Sequence, residues 1–156
     1  MSTLHGTQLL EFAPVTADGS MPLEAAWTEL CKTYRDSFEI LDDDPEEADE
    51  YGDQQDEPIE SFFIAGKTKG KFSTYDYDPA TLKKLMGGTV VDGEWEEGNK
   101  KPQKIALRVK TDSNHQIAYA VVSLFAKKNL KVKKKEVALV DCTFTALSKA
   151  KIKKLP

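Results

Sequence analysis

A single short helical segment bracketed by strands limits what this chain can fold into. Asp78 is a ready N-cap with Pro79 at the first helical position. Leu82, Leu85 and Met86 fall three and four apart on one face, and Gly87-Gly88 supplies a left-handed stop. This spacing predicts a helix of roughly eight to ten residues. Nucleation is too costly for so short a helix to persist alone, so its Leu/Leu/Met stripe must lie on a sheet. Before it, residues 71–77 set Phe72 and Tyr75 among small polar residues. After it, Thr89-Val90-Val91 reads as a strand entering a turn at Asp92-Gly93, with Trp95 packing beyond.

The rest of the chain reads as strand. Residues 8–15 form a first strand anchored by Leu10 and Phe12, and residues 21–26 tolerate one helical turn. Residues 27–41 alternate as a hairpin turning at Arg35-Asp36. Pro58 re-enters the fold, residues 59–65 form a strand with Ile59, Phe63 and Ile64 in the core, and residues 66–70 turn into the next strand. Residues 104–110 set Ile105, Leu107 and Val109 against Ala106 and Arg108. Residues 117–125 are apolar on both faces, as in a strand covered on both sides. Residues 137–147 are the cleanest strand. Val140, Cys142 and Phe144 mark its core face, while Asp141, Thr143 and Thr145 form a face suited to a partly covered subunit contact.

A length of 156 residues with 40% apolar and 31% charged residues fits one soluble domain, expected to span residues 1–156. No run approaches the eighteen or so apolar residues of a membrane span, and no basic-then-apolar leader opens the chain, so neither a span nor a secretory signal is expected. The net charge of -4 conceals an asymmetry. Residues 36–60 hold thirteen acidic residues and no basic one, whereas residues 127–156 hold ten lysines against Glu136 and Asp141. Residues 41–57 carry Asp42, Asp43, Asp44, Glu46, Glu47, Asp49, Glu50, Asp53, Asp56 and Glu57. That segment is too charged to bury. It is expected to be a long exposed loop without stable structure in the free subunit, ordered by assembly contacts. Lys131, Lys133, Lys134 and Lys135 offer the complementary basic surface on a neighbouring subunit.

The residues give little support to catalysis, and no catalytic, metal or cofactor-binding residue is assigned. Residues 66–70 contain Lys67 and Thr68 without the spacing of a nucleotide-binding loop. His5 and His115 lack partners at ligand spacing, and Asp42-Asp43-Asp44-Pro45 lacks the alternating carboxylates and central glycine of a calcium loop. Cys31 and Cys142 fit reduced, buried small hydrophobes better than a nucleophile or a disulfide pair. The C-terminal lysines have no interleaved aromatics and read as a solvated strand edge rather than a nucleic-acid surface.

Taken in order, the hairpin with Thr33-Tyr34-Arg35-Asp36-Ser37, the acidic loop rejoined at Pro58, the segment from Asp78 to Val90 and the final long strand resemble the tail tube proteins of long-tailed bacteriophages. The resemblance covers about residues 27–147, and the helix ending in Gly-Gly is its most specific part. It implies a β-sandwich or barrel of two packed sheets flanked by one short helix. It also implies a homo-oligomer: hexameric rings stacked into a tube through which DNA passes without sequence-specific binding. Related folds form contractile tails and the type VI secretion tube. Implied partners are the tape measure, terminator and baseplate components, and the implied location is the virion tail, assembled in the host cytoplasm. No strongly alternating acidic strand marks a channel lining. The alternative reading is a non-enzymatic adaptor, or another tail or connector component, with an acidic docking loop.

Overall fold

The computed structural model describes residues 2–54 and 57–156, with the backbone alone for 58–62. In chain order the elements are β1 (Thr7–Pro14), β2 (Thr28–Glu29), β3 (Glu39–Asp42), β4 (Glu46–Tyr51), β5 (Pro58–Ile64), β6 (Thr68–Thr74), α1 (Pro79–Met86), β7 (Thr89–Val91), β8 (Glu94–Glu96), β9 (Gln103–Thr111), β10 (His115–Asn129), β11 (Leu139–Ala146) and β12 (Lys151–Lys154). A single 3-10 turn at Glu24–Ala26 precedes β2. The protein is mainly β, with one large antiparallel sheet, small two-stranded sheets and a single α-helix among the described residues.

The large sheet has the order β2-β1-β9-β10-β11-β6-β3, with β12 branching from the first part of β10. It curls until its ends meet. In the segment 28–34, Thr28 and Glu29 pair with Phe12 and Glu11, and the Leu30 N–H donates to the Leu10 carbonyl at 2.9 Å. A few residues later Thr33 bridges Thr74, and the Tyr34 N–H donates to the Ser73 carbonyl at 2.6 Å. One short segment thus ties β1 to β6 and closes a barrel. This closure covers the β1 and β6 edges along residues 28–34, while the β3 end of the sheet pairs with β6.

The barrel interior takes the faces that alternation predicted for β9 and β11, together with inward residues of β10, whose two apolar faces the sequence left open. Leu107, Val109, Tyr119, Val122, Leu124, Val140, Phe72 and Phe144 belong to one buried cluster, and the rings of Phe38, Phe72 and Phe144 lie 6.1 to 6.3 Å apart. β10 reaches all its partners because the register against β9 shifts between Tyr119 and Val122, a bulge that keeps both residues facing inward. Gly70 lies within β6 rather than in a turn. A Cβ there would come 2.1 Å from the Phe144 ring, so the glycine makes room for the aromatic cluster.

α1 caps one end of the barrel as its stripe demands: Leu82 and Leu85 are buried in the main core and Met86 packs against it. Gly87 (φ 75) and Gly88 (φ 86) end the helix, and the Trp95 Nε1–H donates to the Gly87 carbonyl at 2.8 Å. The β7–β8 turn at Asp92 (φ 52) and Gly93 (φ 76) has the two left-handed residues of a tight hairpin. Asp78 occupies the N-cap position, but its side chain makes no capping bond. Asp76 braces this end of the helix without capping its free N–H groups, accepting from the Asp78 N–H at 3.0 Å and the Thr81 hydroxyl at 2.9 Å.

Three further expectations are corrected. Arg35-Asp36 does turn, with Asp36 at φ 57, but the strands beside it pair with β6 and not with each other, because closing the barrel takes their edges. The acidic segment is no structureless loop: it runs from the end of β3 through β4 and up to β5. Phe63 and Ile64 are exposed, at 65% and 59%, because β5 belongs to a hairpin that leaves the barrel. Ile59's side chain lies outside the described residues.

Candidate assembly interface

The acidic segment is half of a long hairpin arm. β3 pairs with β6 up to Asp42 opposite Thr68, the Asp43 N–H donates to the Lys67 carbonyl at 2.8 Å, and pairing resumes at Glu46 opposite Ile64. The ladder stays in phase across the interruption, so β4 and β5 continue β3 and β6 outward as one ribbon. Gly66 permits the crossing at its base, where a Cβ would come 2.2 Å from the Asp43 carbonyl oxygen. Six to seven residues at about 3.3 Å each carry the ribbon roughly 20 Å beyond the barrel.

The expected acidic residues separate into two groups. At the base, Asp43 pairs with Lys69 at 3.1 Å and Asp42 accepts from the Thr68 hydroxyl, while Asp44 lies in the interruption. Further out, Glu46, Glu47, Asp49 and Glu50 lie along β4, which is exposed at every position, and Asp53 and Glu57 lie near the tip. Asp56 lies outside the described residues. The arm also carries exposed apolar groups at Tyr51, Phe63 and Ile64, an unusual cost for an element that extends away from the barrel.

Lys131, Lys133, Lys134 and Lys135 lie exposed in the connection between β10 and β11, with Lys133 within 3.7 Å of Glu136. They do not meet the arm. β6 separates the two groups: the arm continues from its Thr68 end, whereas the lysine connection enters β11 beside its Thr74 end, where Thr74 pairs with Val140. Acidic arm and lysine connection therefore stand at opposite ends of one barrel, roughly 20 Å apart along a seven-residue strand.

Next to the lysine connection, at the α1 end, lies a cleft of about 140 Å³. Leu85, Met86, Trp95 and Phe125 form its apolar wall, and Lys100, Lys101, Lys127 and Lys128 contribute to its rim, where Lys128 pairs with Glu97. The backbone of β10 is incompletely paired here. Its ladder to β9 stops at Leu124 opposite Gln103, while among the described residues β10 continues to Asn129 against β11 alone.

One cluster was missed in the sequence. Arg108, on the outer face of β9, is 3% exposed and donates from Nε to Glu11 at 3.0 Å and from Nη1 to Glu24 at 2.8 Å. Its guanidinium lies 4.6 Å from the Trp27 ring centroid, and Lys110 also approaches Glu11 at 3.6 Å. This bonding holds the Glu24 carboxyl below its ordinary range. The available signal was Arg108 alternating with Ala106 on the face opposite Ile105, Leu107 and Val109. The cluster ties the 3-10 turn and Trp27 over the outer sheet face, which is a structural role.

Cys31 and Cys142 are free and buried; burial pushes the Cys31 thiol up to about 12 and raises Cys142 as well, so neither is an activated nucleophile. Among the described residues no group of three or more His, Cys, Asp or Glu could hold a metal ion, and no helix is long and apolar enough to cross a membrane. No protein-family model matches the chain, and no curated protein matches it significantly.

Proposed function

We propose that this protein is a non-enzymatic structural subunit that assembles head to tail into stacked rings, as the tail tube proteins of long-tailed phages do. The observation that carries this reading is the polarity of the barrel: an acidic ribbon leaves one end and a lysine-rich surface occupies the other. Where copies stack in the same orientation, the arm of one meeting the opposite end of the next, the contact is heterologous and propagates instead of closing as a two-fold dimer. Individual exposed ion pairs contribute only about 0 to 1 kcal/mol, so the attraction depends on repetition around a ring. On this reading the partners are other copies of the chain and the tape measure, terminator and baseplate components. DNA passes through the channel, the ring is hexameric by resemblance, and the site of action is the virion tail after assembly in the host cytoplasm.

Sedimentation of the parent and of a variant with residues 46–64 replaced by a short turn tests the proposal across a salt series, with circular dichroism reporting folding. The parent is expected to form large species that shrink as salt rises, since screening shortens from about 8 Å at physiological ionic strength to about 3 Å at 1 M. The variant is expected to stay folded and small. Equal assembly of both at every salt concentration removes the arm from assembly and favours an adaptor with an acidic docking surface.

A further inference from the structure

We infer that the cleft between α1, β8 and the end of β10 is the receptor for the hairpin arm of a second copy of this chain. The inference rests on the head-to-tail reading and names the surface that receives the arm.

Three properties of the cleft match three properties of the arm. The cleft has an apolar wall of Leu85, Met86, Trp95 and Phe125, the last 36% exposed, and the arm carries Tyr51, Phe63 and Ile64 more than half exposed. The rim holds Lys100, Lys101 and Lys127, and the arm holds Glu46, Glu47 and Glu50. Among the described residues β10 has no ladder partner on one side beyond Leu124, and β4 and β5 have no ladder partner but each other, so the arm can offer a strand edge. Strand addition at such an edge gives main-chain hydrogen bonds, and the flanking wall and rim select an apolar strand in acidic surroundings.

Position excludes an arm binding its own cleft and favours a neighbour's. Phe125 pairs with Thr143 and Lys128 with Val140, and Val140 pairs with Thr74, which sets the cleft toward the barrel end opposite the arm's origin at Thr68. The connection carrying Lys131, Lys133, Lys134 and Lys135 follows β10 directly, so it extends the same basic surface while the apolar contact is made in the cleft.

Phe63, far from the core, can be replaced by the photoreactive p-benzoylphenylalanine in the full-length protein and irradiated in mixtures of isotopically light and heavy chains. Cross-links are expected between light and heavy chains, from position 63 to residues 95–101 or 125–128. Cross-links within one chain, or between chains to the β12 lysines or to residues 131–135 alone, overturn the inference. A second measurement uses charge reversal. Lys100→Glu, Lys101→Glu and Lys127→Glu together are expected to weaken association at least about tenfold, equivalent to about 1.4 kcal/mol. Mixing that variant with one carrying Glu46→Lys, Glu47→Lys and Glu50→Lys should restore association, since each arm then finds a cleft of opposite charge. A parent that assembles alongside an equally assembling cleft variant overturns the receptor while sparing the head-to-tail reading. A parent that never associates overturns both.

Discussion

Replacing Arg108 by Met isolates the cost of a buried charge in this barrel. The methionine keeps much of the packing volume against Trp27, while Glu11, 10% exposed in its side chain, loses its main partner. Breaking a buried pair by removing one member generally costs about 3 to 5 kcal/mol. Lys110, already 3.6 Å from the same Glu11 oxygen, can move closer and compensate in part. Loss of the cation on Trp27 adds about 0.5 to 2 kcal/mol. Glu24, exposed on its outer side, rehydrates at little cost. The expected destabilisation is about 3 kcal/mol, the lower end of the general range. Adding Glu11→Leu to R108M should recover most of it, because a well-packed apolar pair replaces a buried ion pair at little or no cost. Urea unfolding followed by near-ultraviolet circular dichroism measures both, provided the denaturant slope is unchanged. A single variant within about 0.5 kcal/mol of the parent, or a double variant less stable than the single one, refutes the reasoning.

Leu82→Ala should cost about 2 to 5 kcal/mol in the same assay, since the residue is buried between α1 and the barrel; a loss below about 0.5 kcal/mol would mean the stripe does not pack there. Gly88→Val should destabilise by at least about 1 to 2 kcal/mol from left-handed strain, and its Cβ would also come 2.2 Å from the Glu96 carbonyl oxygen; a neutral result contradicts the helix stop. Hydrogen exchange of the dissociated subunit should be fast over β4 and β5 and slow over β9 and β10, because a two-stranded ribbon is marginal on its own; equal protection would refute this. Cys31, its thiol raised to about 12 by burial, should resist alkylation at pH 8 in the folded protein and react on unfolding.

The core and the helix were legible because each rests on local periodicity. Alternation placed Val140, Cys142 and Phe144 inside, and the Asp-Pro start with the Gly-Gly end delimited α1 to within a residue or two. What failed depended on long-range pairing. The segment 28–34 alternates like one arm of a hairpin, yet its hydrogen bonds go to β1 and β6, elements about twenty residues before it and forty after it. Phe63 and Ile64 have core composition but sit opposite Glu47 and Glu46 on a ribbon that leaves the barrel, so they stay exposed. High charge was read as absence of structure; backbone pairing in phase with β3 and β6 supplies the order that side-chain burial does not. The two charged blocks were visible in the sequence, while their placement at opposite ends followed only from the register of β6 with β3 and β11.

Negative-stain electron microscopy of the purified full-length protein at low salt is the most direct test of the head-to-tail reading. Rings or stacked tubes with a regular axial repeat are the predicted result. Monodisperse single subunits at every concentration and at low salt would contradict it.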